Sequence, residues 1–231
     1  MITTSQDLLN FPRKHTLSDL GVDYFVVDVL GQDYINLNEA INILSPSEDS
    51  RRKKFKTEKL RNRFAIRTAM FRILLANQLN CPIEDLSISQ NKYGKPYIED
   101  SGLYFNASYS NELAVYAFSS REELGVDIEK VVPFPDEMET AKHVMTPDEY
   151  SLYHCLDGEL ATEFFYRLWT AKEAYMKLLG VGLYLEPRNI SLEFTNTTPG
   201  LAQTADYPNA EINYLSKGIS ENYIISLALL T

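Results

Sequence analysis

Apolar positions at helical spacing dominate the stretch between residues 60 and 79. They fall near one face of a helix, namely Leu60, Phe64, Phe71 and Leu75. Ahead of this stretch, Ser45-Pro46-Ser47-Glu48 has the form of a capping box, with a hydroxyl N-cap, proline at the first helical position and glutamate three residues after the cap. The pattern therefore predicts a helical region that starts after Ser45 and ends at Asn80-Cys81-Pro82.

The same helix entrance recurs 101 residues later, as Thr146-Pro147-Asp148-Glu149. About 20 residues beyond each box comes a similar string, Arg67-Thr68-Ala69-Met70 in one case and Trp169-Thr170-Ala171-Lys172 in the other. Short apolar segments bounded by turn residues predict strands at 86–89, 97–98, 103–108, 113–118, 125–131, 189–194, 211–215 and 223–230. We predict an α+β fold of two similar α/β halves, residues 1–112 and 113–231, related by a pseudo-two-fold, with the active site in the cleft between them.

Composition narrows the class of protein. With 45% hydrophobic and 23% charged residues among 231, the chain is typical of a folded globular protein. It has no apolar run near the roughly 20 residues of a membrane-spanning helix, so we expect no membrane association. Residues 1–7 lack the pattern of a secretory signal, which favours a cytoplasmic protein. The two cysteines and three histidines show no metal-ligand spacing, which argues against zinc.

The cations are concentrated in one segment. The formal net charge is −10, which argues against nucleic acid as a partner, yet residues 51–72 hold ten Lys or Arg and one acid, Glu58. A solvated helix face would account for such a run. The contrast with the acidic remainder of the chain favours a phosphate site instead, and a small, multiply phosphorylated ligand fits a short patch better than DNA does.

Two further segments carry candidate chemistry. In Gly125-Val126-Asp127-Ile128-Glu129-Lys130, alternation along a strand places Asp127 and Glu129 on one face. Such a pair suits a hard cation such as Mg²⁺, although an edge strand with its acids in water would look the same. On the later helix, Trp169, Glu173 and Lys177 share a face, where an ordinary ion pair would also satisfy the spacing.

These strings together carry a family resemblance. Gly125-Val126-Asp127-Ile128-Glu129, followed about 40 residues later by the string WTAKEAYMK at 169–177, closely resembles the paired signatures of the 4′-phosphopantetheinyl transferases. The likeness is to the large, Sfp-like group of single-chain enzymes with two similar halves. Upstream, NKYGKP at 91–96 is similar to the family's Gly-Lys-Pro turn, and FNASYS at 105–110 to its Phe-Asn-x-Ser-His-Ser strand.

The resemblance implies a reaction and a set of roles. The reaction is transfer of the phosphopantetheine arm of coenzyme A to a serine of an acyl- or peptidyl-carrier protein, with release of adenosine 3′,5′-bisphosphate. The first half would bind the adenosine and phosphates of coenzyme A, and the second would bind Mg²⁺ and carry catalysis. The implied catalytic residues are Glu173, Lys177 and Lys172; the metal ligands are Asp127, Glu129 and Glu173; the cofactor contacts are Arg51, Arg63, Tyr93, Gly94, Lys95, Ser108 and Tyr109. Glu149 falls where the family has an acid facing the lysine that matches Lys177.

One position departs from the family pattern, and it keeps alternatives open. Tyr109 stands where the family has a histidine that usually touches the diphosphate, and tyrosine carries no positive charge at neutral pH. A relative that binds coenzyme A or a carrier without catalysis is therefore one alternative, and a Mg²⁺-dependent phosphohydrolase is another. Fatty-acid, polyketide and nonribosomal peptide carriers are all compatible with the resemblance. We expect a monomer whose carrier docks near Phe134, Met138 and Met145, unless these three residues belong to the core.

Overall fold

A computed structural model describes residues 11–30, 34–195, 198–215 and 222–231. The helices are α1 (Leu37–Ile43), α2 (Pro46–Lys53), α3 (Glu58–Leu79), α4 (Glu137–Val144), α5 (Pro147–Tyr153) and α6 (Gly158–Leu179). The strands are β1 (Lys14–Leu17), β2 (Val22–Asp28), β3 (Ser89–Gln90), β4 (Pro96–Tyr97), β5 (Tyr104–Ser110), β6 (Leu113–Ser119), β7 (Leu124–Lys130), β8 (Ser191–Thr195), β9 (Thr198–Gln203), β10 (Ala210–Tyr214) and β11 (Tyr223–Leu230). Residues 1–7, on which the expectation of no secretory signal depends, lie outside the described residues.

Both predicted capping boxes are present. The Ser45 hydroxyl accepts from the Glu48 N–H at 3.3 Å, and the Ser45 N–H donates to the Glu48 carboxylate at 2.7 Å. Thr146 and Glu149 make the same reciprocal pair, at 3.3 and 2.8 Å. The helical region predicted between Ser45 and Leu79 is two helices rather than one, because the chain turns after α2 and starts again at the N-cap Thr57.

The same pattern occurs in the second half. The short helix α5 is followed by α6, and α3 and α6 both contain 22 residues. Each of these long helices ends at a left-handed residue, Asn80 at φ 51° and Gly180 at φ 64°. The helices thus repeat as a unit, which supports the duplication predicted from the recurring box.

The sheets repeat as well. One sheet has the order β1-β2-β6-β5 and another β7-β11-β10-β9-β8, while β3 and β4 form a small third pair. In the first large sheet β2, which precedes the helices α1 to α3, pairs antiparallel with β6. In the second, β7 precedes the helices α4 to α6 and pairs antiparallel with β11, the last strand. The α+β class is confirmed. The pseudo-two-fold and the division at residues 112 and 113 stay predictions; β6, which follows that division, pairs within the first sheet.

The two large sheets meet along one seam. Side chains from both halves form a shared apolar core, among them Val115 and Ala117 of β6 with Val126 and Ile128 of β7. Strands β5 and β7 lie beside each other at this seam, and α6 packs directly on β7. The approach of α6 requires Gly125, because a Cβ there would overlap the Ala174 carbonyl oxygen and the Leu178 nitrogen. The seam is therefore the place where strand carboxylates can meet helix side chains.

Candidate active site

The carboxylates of β7 occupy the seam. Asp127 is 3% exposed and Glu129 is half-buried, while the intervening Ile128 points into the core. Ser226, which pairs with Asp127 in the register of β7 and β11, is itself buried. The predicted strand alternation is thus confirmed. β7 is the edge strand of its sheet, as the alternative required, but its acids are buried or half-buried rather than in water.

Three polar side chains of β5 hold β7 in place. Asn106, Ser108 and Ser110 alternate along β5 and all point to β7. The Asn106 amide oxygen accepts from the Val126 N–H at 3.1 Å. The hydroxyls of Ser108 and Ser110 donate to Asp127 and Glu129, each at 2.7 Å. Sequence reasoning selected only Ser108, although the period-two spacing of the three residues was visible.

Lys177 of α6 joins this network. Its ammonium lies 2.6 Å from Asp127 Oδ1 and 2.7 Å from the Ser108 hydroxyl. The Lys177 side chain keeps 26% of its surface exposed, whereas the Asp127 side chain keeps 4%. The alternative, an ordinary ion pair between Glu173 and Lys177, is not present among the described residues, where Lys177 pairs with Asp127. Lys177 is therefore a half-buried cation with part of its surface available to a ligand.

Glu173 lies one helical turn from Lys177. Burial raises the pKa of Glu173 to about 7, the charge of Asp127 adds to the rise, and Lys177 opposes it. Burial also raises the pKa of Glu129, against the effect of a hydrogen bond from Ser110. The structure thus brings Asp127, Glu129 and Glu173 into one electrostatic group with more negative charge than Lys177 alone neutralises.

We tested whether this group suits a divalent cation. Asp127 Oδ2 is buried and has no hydrogen-bond partner among the described residues, so one oxygen is available as a ligand. Mg²⁺ prefers oxygen ligands such as carboxylates, and binding a cation would also relieve the repulsion between these acids. The donor chemistry fits. Within the parts of the chain that the structure describes, however, no three His, Cys, Asp or Glu side chains are arranged at metal-binding spacing, so Mg²⁺ stays a prediction.

The structure does not bring Lys172 to this site. Lys172 is fully buried, and its ammonium donates to Glu149 at 2.6 Å and to the carbonyls of Val144 and Pro187 at 2.9 and 3.0 Å. Burial lowers the pKa of Lys172 to about 8, against the effect of Glu149. Glu149 thus faces Lys172 rather than Lys177, and both residues tie α5 to α6. The expectation of a catalytic Lys172 does not fit this position.

The turn at 91–96 forms one wall of a cavity of about 220 Å³. The cavity is lined by Tyr93, Gly94, Lys95, Pro96, Asn106, Ala107, Lys177, Gly180 and Gly182. Lys95 ties the halves together, because its ammonium pairs with Glu123 and donates to the Leu178 carbonyl at 2.9 Å. The predicted cofactor contacts Tyr93, Gly94 and Lys95 thus share a cavity with Lys177.

The predicted contacts in the basic run form a separate group. Arg51 lies over the Phe64 ring at 5.7 Å, and it also lines a larger groove of about 1230 Å³ that contains none of the carboxylates of β7. Arg67 lies over the same ring at 5.3 Å and over the Tyr109 ring at 4.3 Å. Sequence reasoning did not select Arg67. The ring of Tyr109 is thus in contact with an arginine guanidinium.

The expected docking surface is only partly exposed. Met138 is 52% exposed and Phe134 is half-buried against Phe165, but Met145 is 2% exposed and belongs to the core of the second half. The expectation of an exposed Met145 was wrong, because Met145 follows α4 and turns inward where α5 begins.

None of the described helices is both long and apolar enough to span a bilayer.

Comparison with known proteins gives the family. The chain is 33% identical over 180 residues to the 4′-phosphopantetheinyl transferase HetI of Nostoc sp., and the match covers 76% of this chain and 76% of the relative. This chain belongs to the 4′-phosphopantetheinyl transferase superfamily. The model of that superfamily matches residues 123–228, which include β7 and α6.

Other transferases match over shorter stretches. The chain is 34% identical over 144 residues to a putative 4′-phosphopantetheinyl transferase of Synechocystis sp., covering 61% of this chain and 58% of the relative. It is 32% identical over 146 residues to the 4′-phosphopantetheinyl transferase Sfp of Bacillus subtilis, covering 63% and 64%. The matched part thus spans less than two thirds of these two relatives.

A looser likeness exists to solved structures of holo-(acyl-carrier-protein) synthases. The enzyme of Bacillus anthracis in complex with CoA (3′,5′-ADP) aligns at 20% identity and a TM-score of 0.39, over 47% of this chain and 94% of that chain. The Thermotoga maritima enzyme aligns at 20% identity and a TM-score of 0.38, over 47% and 62%.

Proposed function

We propose that this protein is a Mg²⁺-dependent transferase that moves the 4′-phosphopantetheine arm of coenzyme A onto a serine of a carrier protein. The observation that carries the proposal is the seam at which Lys177, Ser108 and Asp127 are in direct contact beside Glu173. Membership of the superfamily supports the same reaction. The two alternative functions, a binding-only relative and a phosphohydrolase, have no observation of their own that favours them.

The reaction is a displacement at phosphorus. The oxygen of the carrier serine attacks the β-phosphorus of coenzyme A and forms a new P–O bond. The bond from that phosphorus to the bridging oxygen breaks, and adenosine 3′,5′-bisphosphate leaves with the electron pair. The serine proton passes to Glu173, directly or through a water molecule. Catalysis of such a step comes mainly from positioning and charge stabilisation.

Glu173 suits the role of general base. A base is most effective when its pKa lies near the working pH, and burial beside Asp127 raises the pKa of Glu173 to about 7. The group is thus a stronger base than an exposed glutamate, yet it is at least half ionised at neutral pH. Arrival of a cation at the neighbouring acids would favour its ionised form.

Lys177 suits the diphosphate. Its partly exposed ammonium faces the cavity that also contains Lys95 and the turn residues. A phosphate placed there would compete with Asp127 for the lysine. Asp127, Glu129 and Glu173 would hold Mg²⁺, which would supply neutralisation of the charge on the diphosphate and on the leaving group. Ser108 and Ser110 would keep Asp127 and Glu129 oriented towards the ion.

The remaining parts of the proposal come from the family resemblance. They are a monomeric state, coenzyme A as co-substrate, and an acyl- or peptidyl-carrier partner in a pathway such as secondary metabolite biosynthesis. The proposed cytoplasmic location comes instead from the sequence of residues 1–7. Met138 and the half-buried Phe134 remain the proposed docking residues for the carrier. Because Met145 is buried, it takes no part in that surface.

The test is intact mass spectrometry of apo carrier proteins incubated with coenzyme A, Mg²⁺ and this protein. We expect a gain of one phosphopantetheine mass that is lost with EDTA and with Glu173→Gln. The matched control is Glu159→Gln, the same change at an exposed position of α6, which should keep the activity.

Two outcomes would replace the proposal. If coenzyme A binds but fatty-acid, polyketide and peptide carriers all stay unmodified, the protein is a binding-only relative. If phosphate is released without any acceptor, it is a phosphohydrolase.

A further inference from the structure

Arg67 of α3 has no counterion among the residues that the structure describes. Within the described ranges, no ion pair or hydrogen bond involves its guanidinium, although arginine carries five N–H donors. The group is half-buried and stacks against two aromatic rings, Tyr109 at 4.3 Å and Phe64 at 5.3 Å. Stacking fixes a guanidinium by its face and leaves its N–H edge available to a ligand.

The second half of the chain provides an internal comparison. Arg167 occupies the same position in α6, counted from the start of the helix, that Arg67 occupies in α3. A tyrosine hydroxyl donates to the carbonyl of each arginine, at 2.7 and 3.0 Å. Arg167 is neutralised by Glu163, one turn earlier, at 2.7 Å. The residue one turn before Arg67 is Arg63, so at the equivalent position the chain has a like charge in place of a partner.

The surroundings of Arg67 are cationic. Burial lowers the pKa of Arg67, Tyr109 and Tyr116 oppose this, and the charges of Arg51 and Arg63 lower it further. Arg51 and Arg67 lie over the same Phe64 ring, at 5.7 and 5.3 Å, and Arg63 is close enough to act on the pKa of Arg67. Holding like charges together costs free energy unless an anion joins them.

This cationic group reaches the seam between the halves. Tyr109 directly follows Ser108, whose hydroxyl contacts Lys177 and Asp127. On the other side, burial and Glu112 raise the pKa of Tyr223 on β11, and Arg63 acts against that rise, which places Arg63 within electrostatic reach of the second half. Because neighbouring side chains of a strand point to opposite faces, a ligand that contacts both Arg67 and Lys177 must carry phosphates that are well separated from one another.

We propose that Arg67 is a phosphate-binding residue of the coenzyme A site and that Tyr109 positions it through the stacked ring. The inference rests on the proposed function, because it takes coenzyme A as the ligand. It also gives Tyr109 a role. The tyrosine carries no charge itself, but its ring positions the Arg67 guanidinium at the place where the family has a histidine. The phosphate is either the 3′-monoester or the diphosphate, which have the same chemistry for a guanidinium.

The test measures binding of coenzyme A by calorimetry without any carrier protein. Loss of one charge-assisted contact weakens binding by about 10- to 100-fold, so Arg67→Gln should reduce the affinity by that factor. The matched control is Arg167→Gln, which makes the same change at the equivalent helical position and should leave the affinity within about twofold. Arg67→Lys keeps the charge but not the planar stack, and it should fall between wild type and Arg67→Gln.

A double-mutant cycle tests the positioning role. Tyr109→Phe keeps the ring and should retain binding, whereas Tyr109→Leu should weaken binding by about two- to fivefold. In the Arg67→Gln background, Tyr109→Leu should have no further effect. General damage to the fold would instead lower the affinity in both backgrounds, and thermal unfolding of each variant would detect it.

The outcomes separate the two proposals. If wild type does not bind coenzyme A, the proposed function fails. If wild type binds and Arg67→Gln binds equally well, or if Arg167→Gln weakens binding as much, the role of Arg67 is refuted. Repeating the titration with coenzyme A that lacks the 3′-phosphate identifies the phosphate that Arg67 binds. If Arg67→Gln reduces the affinity for this ligand as much as it does for coenzyme A, Arg67 binds the diphosphate. If the reduction is smaller, Arg67 binds the 3′-monoester.

Discussion

Glu173→Gln should stabilise the metal-free protein at alkaline pH. The carboxylate of Glu173 lies half-buried beside Asp127, and these two causes raise its pKa from the ordinary 4.5 to about 7. Below pH 4.5 the group is protonated in both folded and unfolded states, and it costs nothing there. Between pH 4.5 and pH 7 the unfolded chain ionises this carboxyl while the folded chain keeps its proton, so stability is lost across this window and falls no further above pH 7.

The size of the effect follows from the rise in pKa. Each tenfold change in proton affinity corresponds to 1.36 kcal/mol, so the rise to about 7 is equivalent to about 3 kcal/mol at pH 8. Glu173 keeps some solvent contact, and solvent screens its charge, so the effect on the free energy of unfolding can be as small as about 2 kcal/mol. Glutamine resembles the protonated acid in shape and cannot ionise. The variant should therefore gain about 2 to 3 kcal/mol over wild type at pH 8.

Urea unfolding in EDTA at pH 5 and pH 8 measures this difference. We expect Glu173→Gln to exceed wild type by less than about 1 kcal/mol at pH 5 and by about 2 to 3 kcal/mol at pH 8, whereas Glu159→Gln should match wild type at both. A gain that is the same at both pH values would show that packing, not ionisation, is responsible. No gain in stability at pH 8 would refute the conclusion that burial and the charge of Asp127 disfavour ionised Glu173 in the folded protein.

Three further changes test other parts of the fold and site. Lys172→Met should cost about 3 to 5 kcal/mol of unfolding free energy, since it leaves Glu149 as an unpaired buried charge; a cost below 1 kcal/mol in urea unfolding would contradict the buried pair. Gly125→Ala should cost at least about 1 to 3 kcal/mol and greatly reduce transfer, because the added Cβ displaces α6 from β7; unchanged activity in the mass assay would contradict that close approach. Millimolar Mg²⁺ should raise the thermal midpoint of wild type but not of Asp127→Asn, and equal shifts in both would argue against a metal at Asp127.

Local patterns predicted the local structure well. Both capping boxes were read correctly because their hydrogen bonds join residues three apart, and the alternation of Asp127 and Glu129 required only a strand. The break between α2 and α3 was missed, since Thr57, its N-cap, lies within a run of cations that looks continuous. Met145 was expected on the surface, but it is buried. The residues around a helix end do not show on which side of that end the core lies.

The position of Lys172 away from the other predicted site residues has a physical reason. The string that contains Lys172 and Lys177 identifies two lysines on one helix, but spacing alone does not show which of them faces β7. That depends on how α6 is rotated against the sheet, which Gly125 and the contact with Ala174 determine. The residue buried on the other side is the one that pairs with the capping-box glutamate, Glu149.

The duplication explains why that buried position exists. Arg72 of α3 has the same place in its helix as Lys172 in α6, and each pairs with the glutamate of its own capping box, at 3.5 Å to Glu48 and 2.6 Å to Glu149. A buried cation that ties the long helix to the short one is thus a feature of both halves. The ion pair of Lys172 with Glu149 is thus one that the first half repeats with Arg72 and Glu48.

The site arises where the halves differ. The residue of α3 that corresponds to Glu173 is the buried, apolar Ile73, so only the second half has an acid there. Conversely, the first half has Arg63 where the second has Glu163. At these corresponding positions the first half thus has a cation and an apolar residue, whereas the second half has two carboxylates. A ligand that carries phosphates and requires a base at one end matches this division of charge.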